Sequence, residues 1–169
     1  MGTPHPYYLL HSNGEVNVSV MAAEGNPVDN KNYRCNPSIL LKYLHDDNES
    51  KNIIFDVGKT FRESFIRWFP RHDIQTIDSI ILTHGHADAI FGLDDIRGFQ
   101  KNGGSPIKVY LSEQCLKTVE KVFFYLFPTE EYFRELRENN RFVSHLDWTP
   151  IAAFQSFYPC NLKVTPIPG

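Results

Sequence analysis

The chain has 169 residues, of which 41% are hydrophobic, 14% aromatic and 22% charged. That length suits one domain with a real apolar core, and the composition is that of a globular chain and not a disordered one. A formal net charge of -3 offers no global positive field to a nucleic acid.

The three cysteines, Cys35, Cys115 and Cys160, are odd in number, far apart and without a C-x-x-C pair. They predict free thiols in a cytoplasmic protein rather than a disulfide framework or a zinc knuckle. Met1–Pro6 (MGTPHP) shows no basic region followed by an apolar run, so no secretory signal is expected. Pro6 stands where a myristoylation signal needs Ser or Thr. No apolar stretch approaches the roughly 20 residues of a membrane span.

Residues 1–37 are rich in Pro, Gly and Asn, lack a sustained period, and read as an irregular opening segment with turns at Asn26-Pro27 and Asn36-Pro37. Ser38–Leu44 reads as a strand, Asp46-Asp47-Asn48 as the turn after it, and Asn52–Val57 as a second, buried strand. Thr60 with Glu63 forms a capping-box pattern that opens a helix over Phe61–Phe69, stopped at Pro70. The β-branched run Ile77–Thr83 is the next strand. A short helix follows near Asp88, weakened by Gly92 and Gly98, and then comes a loop over Asn102–Pro106.

Ile107–Leu111 is a further strand, and Ser112 caps the longest helix. Its stripe of Cys115, Leu116, Val119, Val122, Phe123, Leu126 and Phe127 predicts core packing. Glu130–Glu138 reads as a charged surface helix, and Phe142–Trp148, Phe154–Tyr158 and Leu162–Ile167 as late strands. No internal repeat or linker interrupts this order, so the expectation is a single layered α/β domain over 1–169.

The informative stretch is Thr83-His84-Gly85-His86-Ala87-Asp88. Two histidines one residue apart can reach one cation where the backbone bends, and Gly85 permits the bend. Imidazole and carboxylate suit zinc, manganese or iron in hydrolytic sites. At a helix start, Asp88 would also be favoured by the helix dipole. On spacing alone, a pair of surface histidines with an N-capping aspartate fits equally well. The position after a buried strand and before a helix favours chemistry, because α/β folds place sites at the carboxyl ends of strands.

Three blocks carry a family resemblance: Asn30–Leu41 (NKNYRCNPSILL), Ile54–Phe69 (IFDVGKTFRESFIRWF) and Ile80–Arg97 (IILTHGHADAIFGLDDIR). Together they resemble the metallo-β-lactamase superfamily, with its H-x-H-x-D-H loop after a strand. Within it they are most similar to phosphodiesterases related to tRNase Z and to the phosphonate-pathway cyclic phosphodiesterase. The resemblance implies a four-layer αβ/βα sandwich, of which this chain would hold the N-terminal half to two-thirds. It implies that His84 and His86 bind a first metal and Asp88 a second, with Asp56 bracing the histidine loop from behind. A ligating histidine needs such an acceptor at its back.

Two departures from the pattern matter. Ala89 replaces the last histidine of the motif, and alanine cannot coordinate. Asp94 or Asp95 could compensate, since Asp95 lies about two helical turns beyond Asp88 on a similar face; a helix-surface pairing with Arg97, or a part in shaping the pocket, is the plainer expectation. The chain also stops at Gly169, where the resemblance places a further ligand histidine after a strand like Lys163–Pro168. His145 is a poor substitute, and His5, His11, His45 and His72 have no partners at ligand spacing.

The resemblance thus implies a hydrolase using one or two divalent ions, zinc before manganese or iron. Its substrate would be a phosphodiester or a related small ester, with Asp88 orienting or deprotonating a water. The rival expectation is a truncated or degenerate paralogue acting as a binding module, which would expose apolar surface and oligomerise. Lys59, Arg62, Arg67 and Arg71 are scattered by helical spacing, so they indicate a solvated basic face and not a nucleic-acid partner; with no apolar span, no membrane partner is expected either.

Overall fold

The structure is a computed structural model describing residues 21–22, 25–45, 48–100, 105–127, 129–139 and 143–168. Its contacts divide it into two units, residues 1–35 and 36–169. In the first, Asn26 organises the expected turn. Its side-chain oxygen accepts the Val28 N–H and its amide donates to Asp29. This is the local competition by which Asn draws the backbone out of regular structure.

The second unit is built on a five-stranded sheet in the order β1 (Ile39–Leu44), β2 (Ser50–Phe55), β3 (Ser79–Ile81), β4 (Ile107–Leu111), β5 (Leu146–Pro150). β1 and β2 are antiparallel, and the remaining neighbours are parallel. Parallel neighbours need long crossovers, and helices fill them. α1 (Phe61–Trp68) lies between β2 and β3, and α2 (Ala87–Ile90) with a 3-10 run over Leu93–Phe99 lies between β3 and β4. α3 (Glu113–Val122) and the surface helix α4 (Glu130–Glu138) lie between β4 and β5.

The alternation of strand side chains sorts them onto two faces. Ile54, Ile80, Leu82, Val109 and Leu111 meet the helices, packing with Phe61, Ile90, Leu93, Ile96 and Val119. Ile53, Ile81 and Tyr110 face the other way, against Ile151, Phe157, Cys160 and Leu162. One sheet with one helical layer is a single α/β half of the four-layer arrangement, as the resemblance implied.

Several expectations are corrected. Thr60 precedes α1, but its side chain caps nothing. Its hydroxyl instead accepts the Asn36 N–H at 2.7 Å, while the Asn36 side chain accepts the Thr60 N–H at 3.2 Å. Glu63 pairs along the helix with Arg67 at 3.0 Å. The capping box loses because both its members are engaged elsewhere.

α3 is capped by Ser112, which accepts the Cys115 N–H, but it ends at Val122, which is exposed. Phe123 and Leu126 still reach the core through the 3-10 turn at Phe124–Leu126. The strand placed at Ile77–Thr83 keeps only Ser79–Ile81. That placed over Phe142–Trp148 begins at Leu146, with Phe142 outside the described residues. Phe154–Tyr158 and Leu162–Ile167 are not strands. They share one bridge, Phe157 with Val164, around a 3-10 turn at Pro159–Asn161. Most of the turn at Asp46–Asn48 and of the loop at Asn102–Pro106 lies outside the described residues.

Candidate metal centre

Asp56 follows β2 and Thr83 follows β3, and these two strands are parallel neighbours with Phe55 opposite Ile81. Their carboxyl ends therefore deliver both residues to one edge of the sheet. Asp56 adopts a left-handed φ of 57°, a conformation aspartate tolerates better than most residues. There one carboxylate oxygen accepts the Thr83 N–H at 2.8 Å and the other accepts the Thr83 hydroxyl at 2.7 Å. The Thr83 hydroxyl oxygen in turn lies 2.9 Å from His84 Nδ1.

Past Thr83 the chain leaves the sheet. The His84 and His86 rings stand edge to face with centroids 4.9 Å apart. Asp88, in the first turn of α2, places a carboxylate oxygen 3.4 Å from His84 Nε2. One ligand atom from each of His84, His86 and Asp88 falls within 4.8 Å of the others, and among the described residues they form the one such group. The His84 and Asp88 side chains are 43% and 47% exposed, so both are open to solvent.

The donor set fits a metal. Ligand atoms at about 2.0–2.2 Å from a tetrahedral zinc lie roughly 3.4 Å apart, close to the His84–Asp88 separation. Two imidazoles and a carboxylate also suit manganese or iron.

Glycines set the floor beneath these side chains. A Cβ on Gly58 would stand 1.8 Å from the Asp88 carbonyl oxygen, and one on Gly92 would stand 2.6 Å from the Gly58 carbonyl oxygen. The backbones of 56–58 and 88–92 are thus in contact, joined by Val57 N–H to Ala89 C=O and Gly92 N–H to Val57 C=O, both 2.7 Å. Gly85 lies in a bend, as expected, and close packing adds a second reason for glycine there. Its φ is not left-handed; it is needed because a Cβ there would meet Thr118 of α3 at 2.9 Å.

Ala89 is 1% exposed and belongs to the core under α2. The carboxylates considered in its place are elsewhere. The helix breaks after Ile90, Asp94 pairs with Arg97 at 3.5 Å, and Asp95 pairs with Arg62 at 3.3 Å. Lys59 lies over Phe91 and Arg71 over Trp68, so the four basic residues have four separate partners. His145 is held by its backbone, exchanging two hydrogen bonds with the Gln100 side chain.

Two contributors escaped the sequence reading. Thr83 sat inside the motif, unread as a hydroxyl between Asp56 and His84. Ser144, fully buried, donates to the Leu93 carbonyl and accepts the Arg97 N–H, which pins the 3-10 run beyond α2. Behind the loop, Cys115 is buried. Desolvation first, and the Asp56 carboxylate second, push its thiol up to about 11.

The sequence profile of the Beta-lactamase superfamily domain matches residues 51–169. No curated protein matches the chain. Among solved structures, a diphosphatase from the PhnP family is similar with a TM-score of 0.57 and 26% identity, over 81% of this chain and 43% of that one. Zn(2+)-bound PqqB from Methylobacterium extorquens is similar with a TM-score of 0.52 and 15% identity, over 89% of this chain and 44% of that one. The second likeness bears on the fold alone. The chain therefore spans less than half the length of either structure.

Proposed function

The chain belongs to the metallo-β-lactamase superfamily, and on that footing we propose that it is the metal-binding part of a hydrolase acting on a phosphodiester or a related ester. The observation that carries this reading is the convergence of His84, His86 and Asp88 at the carboxyl end of β3. The similarity to a PhnP-family diphosphatase supports chemistry at phosphorus for this site.

His84, His86 and Asp88 would hold a divalent ion, zinc ahead of manganese or iron. When bound, such an ion supplies a Lewis acid and lowers the pKa of a coordinated water toward neutrality. The chain's own residues do the rest. Asp56 fixes Thr83 through both carboxylate oxygens, and Gly58 and Gly92 hold the Asp88 backbone against the 56–58 segment. Asp88, half-exposed, would orient an attacking water or take its proton. The three free thiols support a cytoplasmic setting, and the described residues contain no helix long and apolar enough to cross a membrane.

Ala89 favours a second reading, a non-catalytic binding module, because it leaves a buried methyl where the family motif has a ligand. Zinc titration and turnover of a chromogenic aryl phosphodiester separate the two. The hydrolase reading expects stoichiometric zinc on the longest natural form of the protein, and loss of both zinc and activity in His84→Ala. Hydrolysis untouched by that substitution overturns it. Absence of zinc and turnover together also overturns it and supports the binding module.

A further inference from the structure

We propose that Thr83 is a positioning residue that fixes the tautomer of His84 and thereby makes Nε2 the metal-binding atom. This deepens the metal-site reading and depends on that reading only for its consequence. The argument is a hydrogen-bond count. An ionised carboxylate has no proton to give, so both Asp56 oxygens act as acceptors toward Thr83. The Thr83 hydroxyl has one proton, and at 2.7 Å the Asp56 oxygen takes it. The oxygen of that hydroxyl can then only accept from its other neighbour, His84 Nδ1, 2.9 Å away. Neutral imidazole carries one N–H. With that proton held on Nδ1, the lone pair is on Nε2.

Nε2 is the nitrogen that faces Asp88, at 3.4 Å. Fixing the tautomer therefore turns the His84–Asp88 pair into two lone-pair atoms on the same side of the loop, a cradle for a cation. A ligating histidine commonly has its second nitrogen held by a carboxylate or carbonyl. Here a threonine hydroxyl is interposed, with the carboxylate one step further back. The frame of this relay does not use the hydroxyl: neither the Thr83 N–H bond to the Asp56 carboxylate nor the Asp56 N–H bond to the Ile81 carbonyl involves it.

The test compares Thr83→Val, which keeps the shape and removes the hydroxyl, with Thr83→Ser, which restores the hydroxyl. The first readout is nitrogen NMR of the imidazole rings in the metal-free protein at about pH 8.5, roughly two units above an ordinary histidine. The wild type and Thr83→Ser should show His84 with its proton on Nδ1. Thr83→Val should show a mixture or the Nε2–H form, with an unchanged thermal midpoint. The second readout is zinc affinity by competition with a chromogenic chelator, where Thr83→Val should bind about 10–100-fold more weakly and Thr83→Ser near wild type.

A wild-type His84 protonated on Nε2 overturns the relay. So does a Thr83→Val protein with wild-type tautomer and affinity. If the tautomer behaves as described but neither protein binds zinc, the relay stands and the metal reading falls, so the two failures are distinguishable.

Discussion

The two faces of the sheet are covered in different ways. On the helical face, Ile54, Ile80, Val109 and Leu111 are almost fully buried beneath α1, α2, the 3-10 run and α3. On the other, a segment with one bridge at Phe157–Val164 covers Ile53, Ile81 and Tyr110, while Phe154, Tyr158 and Ile167 of that segment remain exposed. The candidate centre is anchored to the first face. α2, which carries Asp88, buries Ala89 and Ile90 there, and Gly85 rests on Thr118 of α3. Rigidity in this site is thus inherited from helical packing and from backbone contact, while its ligand side chains stay open to solvent.

The largest effect should come where that contact is tightest. Gly58→Ala would put a methyl 1.8 Å from a backbone oxygen, which no rotamer change relieves. We expect a loss of about 3 kcal/mol or more, read by urea denaturation, together with loss of zinc affinity as Asp88 is displaced. A stable Gly58→Ala protein with intact zinc binding would mean that the 56–58 and 88–92 segments do not support the site.

Next come cavities on the two faces. Ile80→Ala removes three carbons from a fully buried position under the helices and should cost about 3–4 kcal/mol. Phe157→Ala removes a larger side chain, whose ring lies tilted against Tyr110 with centroids 4.9 Å apart but is only half-buried, and should cost about 1–2 kcal/mol, less than the usual range for core phenylalanine. If Phe157→Ala proves the more costly, the distinction between the two faces is wrong.

Much of this arrangement was legible in the sequence because its signals are local. The runs NIIF and IKVYL state buried strands by composition, and the Ser112 cap and the α3 stripe mark a helix by period. His84, His86 and Asp88 are legible by spacing, and Asp56 by resemblance. What was not legible depends on neighbours distant in sequence. Thr60 fails as a cap because Asn36 claims its hydroxyl, and no local pattern announces Asn36. The bend at Gly85 is legible, but its closeness to Thr118, 33 positions away, is not. The apparent strands at Phe154–Tyr158 and Leu162–Ile167 have strand composition, but the left-handed Phe154, Cys160 and Asn161 break the ladder to a single bridge.

The smallest effect, and the subtlest probe of the helical face, is the titration of Cys115. Its thiol is buried beside the site, and burial with the nearby Asp56 carboxylate raises it from 9.0 to about 11. Raising the pKa of an acid means that the folded state favours the protonated thiol more than the unfolded state does. Below pH 9.0 the thiol is protonated in both states, and its contribution to stability is complete. Between 9.0 and about 11 the unfolded chain releases the proton while the folded one keeps it, so stability falls as pH rises, and the contribution is gone above about 11. Cys115→Ala should therefore flatten the alkaline limb of the urea midpoint against pH. At neutral pH, native Cys115 should react with a disulfide reagent only as fast as the protein unfolds, because the thiolate is the nucleophile. Rapid labelling of Cys115 in the folded protein would show that water and reagent reach behind the histidine loop. The helical face would then not be the sealed support on which the position of Asp88 depends.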